Sequence, residues 1–112
     1  MHRILLGCAA ASAVLAGSAG LAAAADCKVG ISMFTLNAPY YAAQLQAASD
    51  QAKKAGCTVS TADGRNDMSK QIGDVEDMVA KGVNLLIINP RDPQGLVPAV
   101  NAATKEIGRA HV

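Results

Sequence analysis

Three short aliphatic or β-branched runs, each followed by a helix-period segment that stops at a glycine, leave this chain few folds. The runs are Lys28–Phe34 (KVGISMF), Cys57–Ala62 (CTVSTA) and Val83–Ile88 (VNLLII). Runs this short, bounded by turn residues, read as strands. Between and after them, apolar or small residues recur at three- and four-residue steps: Tyr41, Leu45, Ala48, Ala52 and Ala55; then Ile72, Val75 and Val79 with Met78 alongside; then Leu96, Val100, Ala103 and Ile107. That spacing is one buried face of a helix. Gly56, Gly82 and Gly108 close the three segments at the C′ position. Pro39 opens the first helix, where its fixed φ fits. Asp67 is a good N-cap for the second, which runs to about Lys81. Asp92-Pro93 can start the third, but Pro98 lies too deep for an easy first turn. The expectation there is a preliminary turn over 92–95 and a regular helix from near Gly95.

The order βαβαβα predicts an α/β fold: a three-layer, doubly wound parallel sheet with right-handed crossovers. The nearly unbroken hydrophobicity of VNLLII marks a strand covered on both faces. After Gly108 a fourth strand is due, and the sequence runs Arg109-Ala110-His111-Val112. Residues 26–112 are therefore expected to be an incomplete lobe, the front part of a larger protein. The alternative, a complete minimal domain, would leave an apolar sheet edge open and bury little surface.

Residues 1–25 read as a cleaved signal peptide. His2 and Arg3 form a basic start, Ile4–Leu21 is apolar and Ala-rich, and Ala23-Ala24-Ala25 resembles a small-residue cleavage site. The Leu/Ile/Val-rich part is short for a transmembrane anchor. Cys8 leaves with that segment. Export places the mature chain in the periplasm. Arg3 is one of ten Lys/Arg set against nine Asp/Glu, so residues 26–112 are formally neutral. With no basic cluster to neutralise phosphates, the chain is not expected to bind nucleic acid.

Cys27 and Cys57 remain after cleavage, each at the start of a strand. In matching register on parallel neighbours, their backbones would lie about 4.8 Å apart, within the usual range for a disulfide. An even pair in an oxidising compartment favours the bond. The alternative is two free buried thiols. No His or third Cys stands at ligand spacing, so no metal and no cofactor are expected.

All three aromatic residues, Phe34, Tyr40 and Tyr41, fall within eight positions after the first strand, so the core must be aliphatic. Flat apolar faces with phenolic hydroxyls suit a small polar guest that also has C–H faces, such as a sugar. The plainer alternative is that both tyrosines pack at the helix start. In doubly wound sheets ligands bind beyond the strand carboxyl ends, where strand order reverses. If the second and third strands flank the first, the loops Phe34–Pro39 and Asn89–Asp92 meet there. Asn89, Arg91 and Asp92 would supply amide, cation and carboxylate. For Asp92 a helix-capping role is the stronger reading.

Dinucleotide, P-loop and nucleophile-elbow signatures do not occur in the sequence. Asp74, Glu76 and Asp77 sit on a polar helix face, with Asp77 spaced to pair with Lys81. No enzyme activity is expected.

The stretches KVGISMFTLNAPYYAAQLQAASDQAKKAGCTV and ADGRNDMSKQIGDVEDMVAKGVNLLIINPRD resemble the ribose-type periplasmic sugar-binding proteins of ABC importers. The likeness covers nearly all of 28–108. It implies the type I periplasmic binding protein fold, of which this chain would be a partial N-terminal lobe. Two such lobes close on one monosaccharide or polyol. The resemblance further implies that Tyr40 and Tyr41 line the cleft, that Asn89 bonds sugar hydroxyls, that an ABC permease is the partner, and that the full-length protein is a monomer. Phe34 and Ala38 depart from the ribose pattern, which has polar side chains there. The family's Asp-Arg pair after the fourth strand is not among these residues. Two other readings share the fold: the sensor domain of a sugar-responsive regulator, and the front of an exported α/β enzyme.

Overall fold

The computed structural model describes residues 26–109; the signal-peptide reading of 1–25 falls outside the described residues, as does His111. Six elements alternate: β1 (Lys28–Met33), α1 (Pro39–Lys54), β2 (Thr58–Asp63), α2 (Met68–Ala80), β3 (Leu85–Asn89) and α3 (Pro93–Arg109). The three strands form one sheet in the order β2-β1-β3, parallel throughout. Met33, the last residue of β1, lies opposite Asp63 of β2 and Asn89 of β3. All three strands therefore end at one level.

Side chains alternate across a sheet, and here the alternation separates two helix layers. Val29, Ile31 and Met33 face α1 and pack with Tyr41, Leu45, Ala48 and Ala52. The other face of β1 carries Gly30 and Ser32; Gly30 lies against Met78 of α2 and Leu86 of β3. On that side Val75, Leu96, Ala99 and Ala103 form a second cluster with Leu86 and Ile88. Side chains as buried as Val29 and Ile31 each contribute about 1.5–3 kcal/mol. Gly56 and Gly82 both have φ of 86°, the left-handed conformation that ends α1 and α2.

Several expectations need correction. β3 is not covered on both faces. Leu85 and Ile87 are 51% and 40% exposed, because α1 lies over β1 and β2 and no described element covers that face of β3. The third helix needs no separate preliminary turn. Asp92 starts it directly, accepting from Leu96 N–H at its carbonyl and from Gln94 N–H at its carboxylate. Pro98 sits inside this helix, so the carbonyl one turn earlier lacks its usual intrahelical donor. The buried stripe runs through Leu96, Ala99 and Ala103, while Val100 is 38% exposed, and Gly108 lies within α3, which continues to Arg109, instead of closing it. On α2 the ion pair is Lys70 with Asp74 at 2.9 Å, not Asp77 with Lys81. Asp67 does cap α2, accepting from Lys70 N–H at 2.9 Å.

Cys27 and Cys57 stand one residue before β1 and β2, directly ahead of the paired Lys28 and Thr58. This register brings their Cα atoms to 4.5 Å, and the two sulfurs are bonded. The bond closes a loop with a sequence separation of 30 residues, which corresponds to roughly 3–4 kcal/mol of chain entropy. The Cys27→Ser, Cys57→Ser double variant should lose about that much stability, seen as a lower urea midpoint. An unchanged midpoint would mean that the cross-link does not constrain the unfolded chain.

Candidate functional site

The common level of the strand ends brings three loops together. Hydrogen bonds tie them. Phe34 N–H donates to the Asn89 carbonyl at 3.0 Å, Gly64 N–H to the Met33 carbonyl at 2.8 Å, and Asn66 N–H to the Phe34 carbonyl at 2.7 Å. The β2–α2 turn is tight, with Arg65 and Asn66 at φ 53° and 60°. Its Gly64 packs against backbone: a Cβ there would lie 2.9 Å from the Phe34 carbonyl oxygen and 3.0 Å from that of Met33. Strand order reverses between β1 and β3, so the switch point falls between the loops that carry the aromatics and Asn89.

The aromatic residues form a chain of edge-to-face contacts. Phe34 and Tyr41 have ring centroids 4.8 Å apart, Tyr41 and Tyr40 5.3 Å, both pairs at 75°. Their roles divide. Tyr41 is half-buried and packs on the β1 cluster, so it belongs in part to the core, as the plainer alternative has it. Tyr40 is 68% exposed and presents its ring to solvent at the first turn of α1.

Asn89 is directed toward the same helix. Its Nδ2 donates to Gln44 Oε1 at 2.9 Å. Gln44 lies one turn beyond Tyr40 on the same face of α1, so the Asn89 amide meets α1 on the face that carries Tyr40. Beneath Asn89 an open groove of about 370 Å³ is lined by Ile31, Met33, Gln44, Ala48, Ile87 and Pro90, among others. A groove of similar volume lies along β2 and α2, lined by Asp63, Lys70, Asp74 and Asp77 among others; none of the three aromatic residues lines it.

Arg91 and Asp92 follow a different course. Arg91 is exposed, and its Nε donates to the Asn66 carbonyl at 3.2 Å. Its side chain thus reaches from the β3 loop to the β2 loop instead of toward the tyrosines. Asp92 spends its carboxylate on capping α3. One residue escaped the sequence reading. Gln71 of α2 is fully buried, and its amide bonds the ends of β1 and β3. The available signal was position: Gln71, Val75 and Met78 fall on one helix face, and all three are buried.

Residues 29–107 match the model of the periplasmic binding protein domain. The chain belongs to that family. It is 41% identical over 75 residues to the ribose import binding protein of Bacillus subtilis, covering 67% of this chain and 25% of that protein. It is 35% identical over 92 residues to the galactofuranose-binding protein of Escherichia coli, covering 82% of this chain and 29% of that one. Among solved structures, an ABC transporter solute-binding protein from Mycobacterium smegmatis with bound glycerol superposes with a TM-score of 0.69 at 38% identity. It matches over 75% of this chain and 29% of its own. The Caulobacter myo-inositol-binding protein, bound to myo-inositol, gives a TM-score of 0.68 at 28% identity, over 74% of this chain and 28% of that one.

The family match fits the βαβαβα order to part of one lobe of the type I periplasmic binding protein fold. The chain spans about a quarter to a third of the length of these relatives. All of them are named as binding proteins. Gly64→Ala should force the β1 end away from the β2–α2 turn and cost about 1–3 kcal/mol. Thermal unfolding checks this; a Tm equal to that of the parent would show that the turn yields without strain.

Proposed function

We propose that this chain supplies one wall of a monosaccharide or polyol site in a solute-binding component of an ABC sugar importer. Such a component captures solute in the periplasm and hands it to a membrane permease, with no reaction of its own. The observation that carries this reading is the Asn89 amide bonded to Gln44, one helical turn from the exposed ring of Tyr40, at the switch point. An aromatic face beside a carboxamide matches the alternating C–H and O–H surface of a sugar. Phe34 and Tyr41 extend the apolar wall, while Arg91 turns to the β2–α2 turn and Asp92 caps α3, so neither is part of it. The glycerol and myo-inositol bound by the structural relatives, and the ribose and galactofuranose in the names of the others, support a small polyhydroxylated ligand. Phe34 and Ala38 disfavour ribose itself, since each removes a polar partner. Another pentose, a hexose or a cyclic polyol fits the wall equally well.

One wall binds weakly, because desolvation and closure by an opposing surface are missing. Ribose, galactose and myo-inositol titrated into the isotope-labelled chain should shift amide signals around Tyr40, Tyr41 and Asn89, with a Kd of about 1 mM or weaker. Asn89→Ala should diminish those shifts without lowering Tm. Shifts confined to the β2–α2 groove, or none with any polyol, would reject the site. Micromolar affinity by calorimetry would reject the one-wall description.

A further inference from the structure

Gln71 is the one fully buried polar side chain of α2, and each end of its amide has a partner. Nε2 donates to the Asn89 carbonyl at 2.8 Å and to Ser32 Oγ at 3.3 Å, while Oε1 accepts from Arg91 N–H at 2.9 Å. Ser32 is itself fully buried near the end of β1. The Asn89 carbonyl takes a second donor, Phe34 N–H. A single side chain thus bridges the central strand, the edge strand and the loop that leaves it. β3 lacks a described neighbour on its far side, and past Asn89 the only other hydrogen bond among the described residues from this loop to the strand ends is Arg91 Nε to the Asn66 carbonyl.

We infer that Gln71 is a positioning residue: its carboxamide fixes the Asn89–Arg91 segment against the end of β1, and so sets where the Asn89 side chain stands relative to Tyr40. The significance for ligand rests on the sugar-site reading above; the positioning itself does not. The chemistry demands an amide. The Asn89 carbonyl needs a donor, and the Arg91 N–H needs an acceptor, within one buried side chain. Methionine has neither at comparable length. Glutamate in its ionised form keeps the acceptor for Arg91 and loses the donor to Asn89, so that variant is read at alkaline pH. An unmet buried polar group costs more than the bond it replaces, so the loop would move to find water.

Amide hydrogen exchange of the unaltered chain is the first test, and it requires no ligand. Arg91 N–H lies in a loop and has a side-chain acceptor only, yet it should exchange about tenfold or more slowly than the amide of exposed Asn37, which bonds a local threonine hydroxyl. Equal rates after correction for intrinsic chemistry would overturn the inference. Gln71→Met should abolish the Arg91 protection and shift the Asn89 and Phe34 amide signals, while the Val29 and Ile31 amides keep theirs. Gln71→Glu should keep the Arg91 amide signal near its original position and move that of Phe34. A residue that only filled space would lower stability in both variants and leave the Arg91 signal alike in the two; that result would also overturn it. Because no sugar is present, failure here leaves the proposed ligand site standing, and a failed sugar titration leaves this one standing.

Discussion

β1 is hydrogen-bonded along both edges, and the level at which its two parallel ladders end determines what the molecule can present. Met33 faces Asp63 on one side and Asn89 on the other. Had either neighbour slipped by one residue, its side chains would have exchanged faces. Asn89 would then have pointed away from α1, and Val29 and Ile31 would have lost the flat cross-strand surroundings that their burial needs. At the opposite end the same register aligns Cys27 with Cys57. The disulfide and the meeting of the loops at the strand carboxyl ends are thus two consequences of one pairing pattern.

The two helix layers divide labour across that sheet. α1 covers β1 and β2 with small residues, Ala48 and Ala52, and anchors Tyr41 at its start. Tyr41 in turn holds Phe34 and Tyr40 edge-on. Aromatic rings in this chain therefore do part of the packing and part of the presenting, which a choice between core and ligand cannot capture. On the other face α2 and α3 bury an aliphatic cluster, and into its edge α2 sends an amide. That amide joins the strand ends where backbone pairing stops. Every buried side-chain nitrogen and oxygen among the described residues has a hydrogen-bond partner, as a stable interior requires.

The element order and the helix caps were legible because they are local. Pro39, Asp67, Gly56 and Gly82 act on their own few residues, and hydrophobic periodicity reports the helix face directly. The third helix was read a few residues late, since Pro98 argued against a continuous segment and the lost hydrogen bond proved affordable within a packed helix. The stripe on α3 was read through Val100 because three- and four-residue steps are equally regular in sequence. Burial of Ala99 instead depends on how α3 sits against Val75 and Leu86. Gln71 went unread for a similar reason: a polar letter on an apolar stripe gains meaning only when the strand ends meet it.

By itself the sequence determined the alternation of strands and helices, the aliphatic character of the core, and the concentration of aromatics in one loop. These follow from spacing and side-chain chemistry that act over a few residues, although the fold puts Tyr40 and Tyr41 in the first turn of α1 and leaves only Phe34 in the loop. Tertiary structure alone decided that Arg91 reaches toward Asn66, that Asp92 caps its helix, that one face of β3 stays open, and that Gln71 joins three segments. Each of those outcomes depends on groups brought together from distant parts of the chain, where the partner is set by sheet register and not by neighbouring residues.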